Sequence, residues 1–66
     1  MVDPLMTSLY RSVSVTFEHG LEGSDQRRVN RAVITVYGVS EFAILAELQR
    51  QYPAYTNISI LEVEER

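Results

Sequence analysis

The 66-residue chain has no cysteine, no tryptophan and no lysine; all six basic residues are arginines, and there is a single histidine. Without cysteine no disulfide can staple the fold, and one histidine alone does not make a structural zinc site. A chain this short buries only about 60% of the surface its unfolded form exposes, so its stability must come from close packing or from a partner. No apolar run reaches the roughly 18 residues needed to span a membrane as a helix. The first residues lack the basic and apolar regions of a secretory signal, so the expected location is the cytoplasm. Residues 1–6, which hold Pro4 and end on a second methionine, read as an alternative start or leader, with one domain over 7–66.

What is present is a globular composition. Hydrophobic residues make up 45% of the chain and the net charge is −3, which excludes the disordered class. Charge is unevenly spread: Arg27, Arg28 and Arg31 fall together, and Glu62, Glu64 and Glu65 gather near the end. An acidic total is therefore compatible with a local basic patch.

Residues 9–18 alternate, with Arg11, Val13, Val15 and Phe17 on one side and Tyr10, Ser12, Ser14 and Thr16 on the other, which predicts a half-buried strand. Residues 19–26 contain two glycines together with Ser24 and Asp25, and read as a mobile hairpin loop. A second strand is predicted over 29–37, with Ala32, Ile34 and Val36 facing one way and Val33, Thr35 and Tyr37 the other. Gly38 permits a sharp exit, Ser40 is placed to cap a helix, and Glu41 complements its dipole. The helix runs over 41–51, with Ile44, Leu45, Leu48 and Tyr52 on one stripe, until Pro53 stops it. Residues 57–64 form a third strand. Ile58 and Ile60 fall on one of its faces and Leu61 and Val63 on the other, and this phase slip predicts a bulge or two covered faces.

The order is β-β-α-β. Strands two and three are joined through a helix and should run parallel, so placing strand one between them makes every neighbouring pair antiparallel. The expected fold class is α+β: a three-stranded antiparallel sheet of order 2-1-3 with one helix packed on one face. The other face stays open, lined by Tyr10, Ser12, Ser14, Thr16, Val33, Thr35 and Tyr37, with Leu61 and Val63. An exposed surface of that mixed character usually binds something.

Catalytic chemistry finds little support. His19 has no cysteine and no serine-base spacing around it and reads as a solvated loop residue. Ser40 lacks the flanking glycines of a nucleophile elbow. Gly20 and Gly23 precede a strand, whereas a phosphate-binding loop precedes a helix. Glu62, Glu64 and Glu65 read as protection of a sheet edge, not as metal ligands. No catalytic residue, metal or cofactor is expected. Arg27, Arg28 and Arg31 are the sharper signal, because guanidinium groups at a hairpin base can grip an acidic protein surface or a nucleic-acid backbone. The alternative is a solvated strand start balanced by Glu18, Glu22 and Asp25. Tyr10 and Tyr37 on the open face suggest base stacking, while the net charge and the lack of lysine weigh against nucleic acid.

From Ile34 the run Ile-Thr-Val-Tyr-Gly-Val-Ser-Glu-Phe-Ala-Ile-Leu-Ala-Glu-Leu, then Gln51-Tyr52-Pro53 and Ile58-Ser59-Ile60, resembles small podophage-encoded inhibitors of host RNA polymerase. The resemblance covers about half the chain and lies in the pattern of apolar positions. It implies a three-stranded sheet with one helix and a phage or mobile-element protein that inhibits or adapts a larger enzyme. The expected function is a small non-enzymatic protein-interaction module that binds and modulates a larger partner, with Arg27, Arg28, Arg31, Tyr10 and Tyr37 as contact residues. Two alternatives are a nucleic-acid-binding domain using the same residues and a self-assembling homo-oligomer.

Overall fold

The computed structural model describes residues 10–66. The segment read as a leader, residues 1–6, and Leu9, the expected first strand residue, lie outside the described residues. The elements are β1 (Tyr10–Leu21), β2 (Arg27–Tyr37), α1 (Glu41–Gln51) and β3 (Tyr55–Glu65). They form one sheet of order β2-β1-β3 in which both pairings are antiparallel, the topology that the sequence predicts.

Alternation along β1 sends Val13, Val15 and Phe17 to one face, where Ile34 and Val36 of β2 join them. Ile44 and Leu48, one turn apart on α1, close over these residues and complete the buried core. The helix begins where Ser40, in extended conformation, accepts a hydrogen bond from the Ala43 amide at 3.1 Å. It ends at Tyr52, whose amide still donates to the Leu48 carbonyl at 2.9 Å, directly before Pro53. Gly38, at φ 73°, makes the turn out of β2 in a conformation most side chains resist.

β3 is irregular in two places. Pairing passes from Thr16↔Glu62 to Phe17↔Ile60, which leaves Leu61 as an extra residue, the bulge announced by the phase slip. A second shift lies between Ser59 and Thr56 and contains Asn57 at φ 49°, a left-handed conformation that asparagine tolerates better than most residues. The Leu61 bulge corrects one expectation. Val63 pairs with Val15 on the helix side and shares a cleft with Ile44 and Ile60, so it does not line the open face.

His19 brings a larger correction. β1 does not end at Glu18 but continues to Leu21, so the turn shrinks to residues 22–26 and His19 pairs with Arg28 inside the ladder. Its side chain is 1% exposed. The imidazole stacks on Tyr55 with centroids 3.6 Å apart, and Tyr55 stacks in turn on Tyr52 at 4.9 Å. Nδ1 lies 2.8 Å from the Gly20 carbonyl, which can only accept, so Nδ1 carries the proton. Nε2 then accepts from the Asn30 amide at 2.7 Å. A histidine that reads as solvated is thus a core residue with both ring nitrogens satisfied. The turn signals of Gly20 and Gly23 hid this, because Gly20 serves close packing: a Cβ there would lie 2.7 Å from Thr56 Oγ1.

Candidate interaction face

One helix covers one side of the sheet, and no described element covers the other. On that second face β1 presents Tyr10, Ser12, Ser14, Thr16 and Glu18, while β2 presents Tyr37, Thr35, Val33, Arg31, Val29 and Arg27 across from them. β3 adds Glu64 and Glu62 opposite Ser14 and Thr16. Tyr10 and Tyr37 form an edge-to-face pair at one end, with centroids 5.2 Å apart, and both remain more than half exposed, as do Val29 and Val33. In the middle the ladder is small and polar, with Ser12 Oγ 3.5 Å from Thr35 Oγ1.

The three neighbouring arginines are not brought together. Residues an even number apart in a strand share a face, so Arg27 and Arg31 lie on the open side and Arg28 on the helix side beside His19. Arg27 bonds Glu18 through Nε and donates from Nη2 to the Asn57 carbonyl at 2.8 Å. Arg31 reaches across β1: Nε donates to Ser14 Oγ at 2.7 Å, and Nη2 meets Glu64 Oε2 at 2.9 Å. That arm lies over Ser14, which explains why a serine on an open face is buried. Arg28 has no ion pair among the described residues, and Glu62 likewise has none. Balance by Glu18, weighed from the sequence, applies to Arg27, whereas Arg31 takes its carboxylate from β3.

The Arg31–Glu64 pair is well over half exposed, so it adds little to stability. Its effect is positional, because a guanidinium fixed by two acceptors loses less freedom when it meets a third. The face is therefore aromatic at one end, partly apolar along β2, acidic along β3 and crossed at its centre by the Arg31 side chain over Ser14. A shallow depression of about 520 Å³ lies over Ser14, between Arg31, Val33 and Glu64.

Two exposed features escaped the sequence reading. Phe42, in the first helical turn, is 83% exposed, and Val29 stands beside the arginines on the open face. The helical stripe gives the signal for Phe42, since that residue falls off the arc holding Ile44 and Leu48. Among the described residues no buried side-chain nitrogen or oxygen lacks a partner, and no cluster of three or more acidic, histidine or cysteine side chains is placed to hold a metal. No helix among them is long and apolar enough to cross a membrane. In comparisons with known proteins the chain matches no family model, no curated protein and no solved structure.

Proposed function

We propose that this chain is a non-enzymatic protein-interaction module that docks on a larger protein through the open face of its sheet and so alters that protein's activity. The observation that supports this reading is the uncovered face itself, where Tyr10, Val29, Val33 and Tyr37 each leave more than half of their surface to solvent. Aromatic and aliphatic side chains exposed together on one face favour protein contact, tyrosine in particular, because it gives up few rotatable bonds when it is fixed. Arg27 and Arg31 would sit within the contact already braced by their acceptors. The same bracing weighs against nucleic acid: Glu18 and Glu64 match the arginines of this face, and backbone affinity needs unmatched cations to neutralise phosphates.

The likeness to podophage inhibitors supplies a first partner to try, a bacterial RNA polymerase. The test is retention of purified polymerase, and of proteins from nuclease-treated bacterial lysate, on the immobilised chain, compared with the Val33→Glu and Tyr37→Glu variants. Both variants should keep the circular-dichroism spectrum, since neither residue is in the core, and lose the retained protein. Arg28→Glu, on the opposite face, should keep it. Retention that survives both open-face changes and fails with Arg28→Glu would move the contact to the helix side.

A further inference from the structure

We propose that the outer edge of β2 binds an extended peptide segment of another protein, which joins the sheet antiparallel to β2 and sets an acidic residue against Arg28. This edge is a surface separate from the open face, and its test does not depend on docking there. The Arg66 amide, directly after β3, donates to the Ser12 carbonyl at 3.0 Å. Backbone groups of successive strand residues point to alternate sides. Ser12 and Ser14 therefore turn theirs to β3, while Arg11, Val13 and Val15 turn theirs to β2. The β1–β2 ladder runs from Tyr10↔Tyr37 to Gly20↔Arg27 without a shift, so Ala32, Ile34 and Val36 are the residues of β2 whose backbone groups meet β1. Val29, Arg31, Val33, Thr35 and Tyr37 turn their N–H and C=O groups outward. Among the described residues no strand meets them.

The two edges of the sheet differ. β3 is interrupted at Leu61 and around Asn57 and carries Glu62, Glu64 and Glu65, features that keep an edge from pairing. β2 has neither bulge nor proline, and from Ala32 to Tyr37 it is uncharged and mostly β-branched. Two of its arginines do not screen it, because Arg27 and Arg31 lean inward over the sheet to Glu18 and Glu64. A row of unmet donors and acceptors along a regular strand fits an extended backbone, whose main-chain bonds supply the affinity. The side chains beside the row select the sequence. Val29, Val33 and Tyr37 are more than half exposed on the open side and favour apolar residues opposite them. Arg28, on the helix side, is exposed and has no ion pair among the described residues. Its own backbone turns to β1, so a residue opposite it forms a non-hydrogen-bonded pair, the kind in which facing side chains lie closest. A carboxylate there gives Arg28 a partner. Arg28 and Val33 are five residues apart, so the ligand is an extended segment with apolar residues on one face and an acid on the other, five residues after the one that faces Val33.

The probe is the peptide Val-Thr-Thr-Thr-Val-Thr-Thr-Thr-Val-Glu with blocked ends, whose valines face Tyr37, Val33 and Val29 when its glutamate faces Arg28. Amide hydrogen exchange of the whole chain, followed by NMR, reads the result. Without peptide the amides of Val29, Arg31, Val33, Thr35 and Tyr37 should exchange freely, while those of Ala32, Ile34 and Val36 are protected. Millimolar peptide should slow the first set and leave the second unchanged. N-methylation of the middle valine, whose N–H faces β2, should abolish that protection, and N-methylation of the threonine after it, whose N–H faces away, should not. Arg28→Glu should weaken binding about threefold, and a peptide ending in arginine should restore it. Thr35→Pro removes a donor from the edge alone, so this variant should keep the fold and lose the peptide. Should it fail to fold, the two N-methylated peptides carry the test. The proposal is overturned if millimolar peptide protects none of the five outward amides, if the peptide blocked at its middle valine protects them equally, or if Arg28→Glu binds the acidic peptide as tightly as the unaltered chain.

Discussion

Replacing His19 by phenylalanine separates a core histidine from a loop histidine. The ring is retained, so its contacts with Tyr55 at 3.6 Å and Phe17 at 5.6 Å survive in outline. What is lost is the pair of hydrogen bonds, Nδ1 to the Gly20 carbonyl and the Asn30 amide to Nε2. Each contributes about 1 kcal/mol net, and the Gly20 carbonyl is left in a buried strand without this partner, so the expected loss is about 2 kcal/mol. For a chain of this length, with a total stability of about 3–10 kcal/mol, that is a large fraction. It corresponds to a fall in Tm of about 8–16 °C. His19→Ala also removes the ring from the stack and leaves a cavity, adding about 2 kcal/mol more, so the variants should rank alanine below phenylalanine below the unaltered chain. Urea unfolding followed by far-ultraviolet circular dichroism at neutral pH measures both. A His19→Phe variant within about 0.5 kcal/mol of the unaltered chain is what a solvated loop residue would give, and it would refute the buried stack.

Three other changes test the remaining local arguments. Gly20→Ala places a methyl against Thr56 Oγ1 and should cost about 1–2 kcal/mol in urea unfolding, while Gly20→Ala combined with Thr56→Ala should recover most of it. Removal of the helix cap by Ser40→Ala should cost about 1 kcal/mol, and Ser40→Asp should be near neutral because its carboxylate can accept from the same amide. Hydrogen bonds from Arg50 and Gln51 hold the Glu47 carboxyl down from 4.5 to about 2. With the folded value depressed, its contribution is present above about 4.5 and is lost as the pH falls towards 2. Carboxyl titration by NMR should place the Glu47 midpoint in that low range, and Arg50→Ala should return it towards 4.5; an unmoved midpoint refutes the assignment.

The parts of the fold legible in the sequence are those where one signal acts alone. Val13, Val15 and Phe17 alternate without interruption, Ser40 and Pro53 bracket the helix, and the doubled apolar pair Ile60-Leu61 offers a bulge or two covered faces, of which the bulge is the one present. The end of β1 was not legible, because two signals compete there. Gly20 lowers strand propensity, yet the same missing side chain is what lets β3 approach at Thr56. Once the strand continues, His19 keeps the parity of Val13, Val15 and Phe17 and enters the core. Strand parity therefore carried the correct answer for His19, one residue beyond the point where the turn signals ended the prediction.

The arginines follow the same rule. Arg27, Arg28 and Arg31 are close in sequence, and closeness in sequence suggests one patch. In an extended chain the period is two, so Arg27 and Arg31 share a face that Arg28 cannot reach. That separation decides what the open face can do. Three unmatched cations together would favour a polyanion, whereas two cations, each already braced by a carboxylate, make a surface of mixed charge. In such a surface cationic and anionic flanks lie on opposite edges of one sheet.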